Sequence, residues 1–417
     1  MKKNKKIYYF CVILILLLLC YNVSLKCNDI ITNKTKNLNE IASQNVFCQN
    51  DEEDETKKQL EDNINNQLSD IDFSQIDKIF SSLSDSSKNF LGENSFVNIV
   101  KKFINADDSN LYNNFLPYAL SVIFDNLIGM LPYFSVIVAI AILYSLIGQF
   151  SNEKDKSLNN IIHLVCFSVI AIIVTKIVFG LLTNATNSIS LIQNQMEALF
   201  PIILTLITAT KNVITATTFQ PLLAILSNGI TKLFTAILVP IFIFSIVFNI
   251  VGNLSNNIKL EKFSKFFSSL FSWIVGIVFT VFVAFLTLHG LTVSSVDSIS
   301  IKTAKYAIKN YVPILGSYLS DGVGLILAST TLIKNAIGVS GLVILFAVVF
   351  SPIIQIVIVQ LLFKLISAIL EPLCDKGTTD FLFSISKSLN MLIVCLLAIG
   401  FMYLISMSIL MCCSNFF

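Results

Sequence analysis

The sequence predicts an all-α polytopic membrane protein of about six to eight transmembrane helices, with broken or re-entrant segments, preceded by a signal sequence and a small exported region that is part helical and part flexible. Three observations predict this class. Of the 417 residues, 55% are hydrophobic and 13% charged, and the mean hydropathy is +0.78, far above that of soluble domains. Apolar runs close to the ~20 residues that cross a bilayer recur along the chain. Lysines gather in particular connections between those runs, which orients them. With no arginine and a net charge of +2, the chain has no basic, aromatic surface of the kind that tracks nucleic acid.

The chain opens MKKNKKIYYFCVILILLLLCYN, four lysines followed by an apolar run from Ile7 to Cys20. The run is too short to span, so residues 1–27 read as a secretory signal. No A-x-A pattern follows, which keeps an uncleaved anchor as the alternative; either way the next segment is exported. Residues 28–115 form an exported polar region that includes the acidic run DEEDE at Asp51–Glu55. Its first part reads as flexible. Two short amphipathic helices are expected within it, one burying Phe73, Ile76, Ile79, Phe80 and Leu83, the other Phe96, Ile99, Val100, Phe103 and Ile104. A Cys27–Cys48 disulfide is compatible with export. The nine cysteines contain no CxxC, and His163 and His289 complete no ligand set with them, so neither metal nor cofactor is expected.

The polytopic domain occupies residues 116–417. Spans are placed at Leu131–Phe150, Ile161–Leu182, Leu233–Val251, Phe267–His289, Ile337–Gln360 and Leu389–Met411. Three pieces are shorter or interrupted: Ala198–Thr210, Pro221–Gly229 and Ile314–Leu332. The first two suit a re-entrant hairpin or part of an extra span, tolerated where protein or water covers the backbone. With residues 28–108 outside, Lys154 and Lys156 fall inside after the first span. If the broken pair is a hairpin, Lys259, Lys262 and Lys265 also fall inside. The stretch DSISIKTAKYAIKNYVPILG, Asp297–Gly316, then lands outside, against the positive-inside rule. On a helix starting near Asp297, Lys302, Lys305 and Lys309 share one face, Ile301, Ala304, Ile308, Tyr311 and Val312 another, and Pro313 ends it. Such a helix either lies at the interface with its lysines among headgroups or docks an acidic partner.

Catalytic patterns are absent: there is no GxxxxGK[ST], HExxH or GxSxG. Gly338-Val339-Ser340-Gly341 superficially resembles the serine motif of rhomboid proteases, yet both histidines precede it, and small residues that ease helix packing are the simpler reading. The placed spans hold no Asp or Glu, and Lys176 and His163 lie toward their ends, which disfavours proton coupling through a carboxylate.

The run IKTAKYAIKNYVPILGSYLSDG, continuing to LASTTLIKNAIGVSG, resembles the signature region of the stage III sporulation protein AE family of endospore-forming bacteria. ALFPIILTLITAT, FQPLLAIL and FKLISAILEPL agree in the same order, so the resemblance covers nearly the whole chain. It implies a membrane subunit, not an enzyme, of the channel or feeding-tube complex that links mother cell and forespore. The implied location is the mother-cell-derived membrane around the forespore. The implied partners are ring-forming bitopic membrane proteins and a cytoplasmic secretion-type ATPase. The alternative is a stand-alone membrane transporter or export-gate component. Carried over by position, the motif residues are Lys302, Thr303, Lys305, Asn310, Pro313, Gly316, Asp321, Lys334 and Asn335; with Lys309 they are expected to serve assembly.

Overall fold

The computed structural model describes residues 50–93, 95–105, 109–150, 156–210, 213–254, 260, 262–286, 316–372 and 376–412. Among these there are helices and turns and no strand, as the all-α class requires. The signal run, the Cys27–Cys48 pair and the lysine helix beginning at Asp297 lie outside the described residues. The chain divides into two units, residues 1–62 and 63–417. In the first, residues 50–62 are helical, the opening part of α1 (Asn50–Ser69). The first part of the exported region, expected to be flexible, lies up to residue 49 outside the described residues, and the acidic run that follows it is helical. Its acidic residues fall in the first turns, where the helix dipole favours negative charge, and Glu53 and Asp54 stand four residues ahead of Lys57 and Lys58.

Helices α2 (Ser74–Ser81), α3 (Asp85–Leu91) and α4 (Phe96–Ile104) follow. The two expected amphipathic faces are those of α2 and α4: Phe73, Ile76, Ile79, Phe80, Leu83, Phe96, Ile99 and Val100 are buried, while Phe103 and Ile104 at the end of α4 are half-buried. Local chemistry sets their ends. Asp72 accepts a hydrogen bond from the Ser74 N–H at 2.9 Å, which holds its carboxyl below the usual range. Ser84 caps α3 by accepting from the Ser87 N–H. Gly92 closes α3 with a φ of 67°, a left-handed conformation that suits glycine. Asp77 accepts from the Phe96 N–H at 3.0 Å and so ties α4 to α2.

The remaining helices are long. They are α5 (Ser109–Phe150), α6 (Lys156–Ala209), α7 (Val213–Ala224), α8 (Val239–Leu254), α9 (Lys262–Leu286), α10 (Gly316–Leu370), α11 (Lys376–Ser388) and α12 (Asn390–Cys412). Two π-helical turns, Ile225–Ile230 and Phe234–Leu238, carry α7 into α8. Six stretches are long and apolar enough to cross a membrane: Asn113–Ser145, Leu164–Ala209, Ala216–Leu254, Lys262–Leu286, Gly324–Leu370 and Lys376–Cys412. Each expected span overlaps one of them: Leu233–Val251, Ile337–Gln360 and Leu389–Met411 fall inside, while the other three run three to five residues past a stretch's end. The 54 residues of α6 make a rod of ~81 Å, against a hydrocarbon core of ~30 Å.

That length absorbs the interrupted pieces. Ala198–Thr210 is the end of α6, which continues through Pro201, and Pro221–Gly229 leads into α8. Neither is a separate re-entrant element. From Gly316 onward, Ile314–Leu332 is the first part of α10, so it adds no crossing.

Side-chain contacts give the register. Tyr118 donates to the Ala347 carbonyl at 3.4 Å and Phe134 meets Phe363 with ring centroids 5.1 Å apart, so α5 and α10 run parallel. Asn184 donates to Gln355 at 2.9 Å and Gln195 to the Gly341 carbonyl at 2.6 Å, so α6 runs antiparallel to α10. Contact of Lys334 with Met411 and of Gly400 with Val349 makes α12 antiparallel as well. The start of α5, the ends of α6 and α12 and the start of α10 therefore share one end of the bundle, together with α2 to α4. The flanks of the lysine-bearing connections 151–155 and 255–261 share the other.

Candidate functional site: a latched helix crossing

Gly338-Val339-Ser340-Gly341 lies in the upper half of α10, where α6 and α12 cross it. A Cβ on Gly338 would stand 2.6 Å from Met411 Cγ and Sδ; one on Gly341 would stand 2.6 Å from Leu199 Cδ1 and 3.2 Å from the Tyr403 hydroxyl. The small residues let three backbones approach. Ser340 is buried and donates to the Ala336 carbonyl in its own helix at 2.7 Å. His163 belongs to the opposite end of the bundle, in the first turns of α6. The packing reading of this motif stands, and no base accompanies the serine among the described residues.

Polar groups converge on the same crossing. Gln195 is fully buried and gives one amide hydrogen bond to Gly341. Its Oε1 and the hydroxyl of fully buried Tyr403 make no hydrogen bond among the described residues. Phe200 packs tilted against Tyr403 with ring centroids 5.5 Å apart.

Lys334, one of the expected motif residues, is 0% exposed. Its Nζ donates to the carbonyls of Met411 at 2.8 Å and Leu410 at 3.3 Å. Those carbonyls belong to the last turn of α12, where helix oxygens lack intrahelical partners and the dipole is negative. One turn earlier, Gln67 at the end of α1 donates to Ser329 at 3.1 Å and accepts from Thr330 at 3.1 Å. Thus one stretch of α10 holds the end of α1, the end of α12 and the body of α6.

The other expected residues stand apart from this geometry. Asn335 is half-buried beside Lys334. Gly316 opens α10 and Asp321 falls in its second turn. Lys302, Thr303, Lys305, Lys309, Asn310 and Pro313 lie outside the described residues. Sequence reasoning did not single out Gln195 or Tyr403. The available signal was Gln195 itself, a polar residue on the buried face made by Ile192, Met196 and Leu199.

At the same end of the bundle, the last turns of α6 diverge from α7 around a groove of about 570 Å³, walled by Phe200, Pro201 and Leu223 and edged by Glu197, Gln220 and Asn228. Among the described residues no group of three or more His, Cys, Asp or Glu could hold a metal ion. The arrangement is one for fixing helices against one another.

Comparison with known proteins yields one consistent result. The family model for stage III sporulation protein AE matches residues 94–414. A curated relative, stage III sporulation protein AE of Bacillus subtilis (strain 168), is 22% identical over 315 residues, which cover 75% of this chain and 79% of the relative. No solved structure matches the chain.

Proposed function

This chain belongs to the stage III sporulation protein AE family, and from that premise we propose that it is a membrane subunit of a channel complex joining mother cell and forespore, acting in assembly or as part of a pore or platform. The family supports a role in sporulation and is not one of known enzymes. The match over residues 94–414, which takes in all six apolar stretches, carries the reading. In this proposal the protein resides in the mother-cell-derived membrane around the forespore. Ring-forming bitopic proteins and a cytoplasmic secretion-type ATPase are its partners.

The bundle's build supports assembly over catalysis. Its longest helices exceed the bilayer and are latched at one end by Lys334, Gln195 and Gln67. Leu286 and Gly316 flank the lysine segment from that end, the one that positive-inside logic assigns to the intermembrane space. Lys302, Lys305 and Lys309 then serve docking of an acidic partner, with Thr303, Asn310, Pro313, Gly316, Asp321 and Asn335 shaping the same region.

Deleting the gene tests the reading. Sporulation should arrest after engulfment while vegetative growth stays normal, and the protein should co-isolate with partners from sporulating cells. Glutamate at all three lysine positions should sharply weaken co-isolation at unchanged protein level. A stand-alone transporter would instead work without partners, and a growth defect outside sporulation would contradict the proposal.

A further inference from the structure

The helix latch leaves the groove between α6 and α7 unused. Its volume of about 570 Å³ lies within the roughly 300–1,000 Å³ of small-molecule sites. From Met196 to Thr208 it follows α6 for ~18 Å. The floor is apolar: Met196, Phe200 and Leu223 line it and are at most 3% exposed, and Pro201 and Leu204 extend one wall. The opposite wall passes through Ser227 and Asn228 into the π-helical turn Ile225–Ile230. Single widened turns of this kind recur at functional sites.

On the α6 side the polar groups present acceptors rather than donors. The Thr205 and Thr208 hydroxyls donate into their own helix, to the carbonyls of Pro201 at 2.9 Å and Leu204 at 2.8 Å. The side-chain nitrogen of Gln193 donates to Glu197 Oε1 at 2.9 Å and to Asn228 Oδ1 at 3.4 Å, which fixes a carboxylate and an amide oxygen at the groove's edge. Asn228 Nδ2 in turn donates to Ser227 Oγ at 3.4 Å. Pro201 has no N–H for the Glu197 carbonyl four residues earlier, which places a further acceptor there. Glu197 is the one charged residue of the lining and is exposed. Among the described residues no lysine stands within ion-pair distance of it. Lys232, one turn past Asn228, is not part of the lining.

We propose that this groove binds a small organic cation with an apolar body, its ammonium or guanidinium on Glu197 and its apolar part along Phe200, Leu204 and Leu223. Charge selects the head: an anion would face carboxylate and carbonyl oxygens, whereas an N–H cation gives those oxygens charge-assisted hydrogen bonds. The buried floor selects the body, because a wholly polar ligand would leave that surface uncovered. A bare metal ion would find a single carboxylate beside an apolar wall, too few oxygens for a hard cation. Such a site belongs to the chain by itself, so it can fail without touching the reading of the protein as an assembly subunit.

Isothermal titration of the full chain in phosphatidylcholine nanodiscs, with empty nanodiscs as the blank, tests it using phenylbutylammonium as probe. One saturable site per chain is expected, and phenylbutanol, the same body without the charge, should bind about tenfold more weakly. Glu197→Gln should weaken the ammonium by a similar factor and Glu197→Asp by less. Ala224→Trp, at an exposed lining residue, should block the groove. All three variants should keep the thermal midpoint of the parent. Equal binding of the alcohol, or ammonium binding that survives Glu197→Gln, would reduce the site to apolar partition and overturn the proposal, as would the lack of any saturable binding. Binding that emerges only once Lys211, or Lys302, Lys305 and Lys309 together, are changed to Gln would assign the groove to the chain's own lysines and overturn it as well.

Discussion

Lys334 is the residue whose role is most constrained. A lysine nitrogen that caps the last carbonyls of α12 supplies hydrogen bonds of the charge-assisted kind and a favourable dipole interaction. Lys334→Met keeps the aliphatic stem and removes the cap, so it should destabilise the purified protein by about 2 kcal/mol. A lowered thermal midpoint in detergent is the expected readout, and an unchanged midpoint would remove the latch from the account. The two glycines of the crossing should differ. Gly341→Val drives a branched side chain into Leu199, which is 0% exposed, and should cost about 1–3 kcal/mol. Gly338→Ala meets the flexible, half-buried Met411 and should cost less. Tyr403→Phe should leave stability unchanged or raise it, since it removes a buried hydroxyl that no described residue satisfies. A marked fall would show that the hydroxyl has a partner.

At the scale of the element, the register of α6 against α10 is the claim most open to chemistry. Cysteines at Asn184 and Gln355, whose side-chain amides meet at 2.9 Å, should be joined by a short bismaleimide that spans the gap those side chains fill, shifting the gel mobility of the intact chain. Ser168 paired with the same Gln355 position, ~24 Å away along α6, should not be. This is also the scale at which sequence reading was strongest and then stopped. The six spans were legible because each carries an apolar run near bilayer length. The helix ends were not, because α6 continues past Leu182 as a two-faced rod: Ala185, Ile189, Ile192 and Met196 are buried while Asn187, Ser190 and Asn194 face out. Such amphipathic periodicity looks like a loop to a hydropathy reading. Pro201 and Pro221 suggested breaks, yet α6 runs on through the first and π-helical turns carry the chain on after the second.

At the scale of the whole molecule, the long helices are latched at one end, and the flanks of the lysine-bearing connections 151–155 and 255–261 lie at the other. Of the crossing, the packing glycines were legible in the sequence; Lys334 was named only through the family resemblance, and neither its cap on α12 nor Gln195 and Tyr403 were legible. The significance of Gln195 comes from its pairing with the Gly341 carbonyl 146 positions away, and that of Tyr403 from its hydroxyl standing beside Gly341, long-range pairings that no local pattern encodes. The central claim is that the latched end faces the exported side and the lysine-bearing connections face the cytoplasm. Single-cysteine variants at Thr208, Ser255 and Ser414, probed in whole cells with a membrane-impermeant maleimide, test it directly. Labelling at Thr208 and Ser414 with protection at Ser255 is the predicted result; labelling at Ser255 with protection of the other two would contradict it.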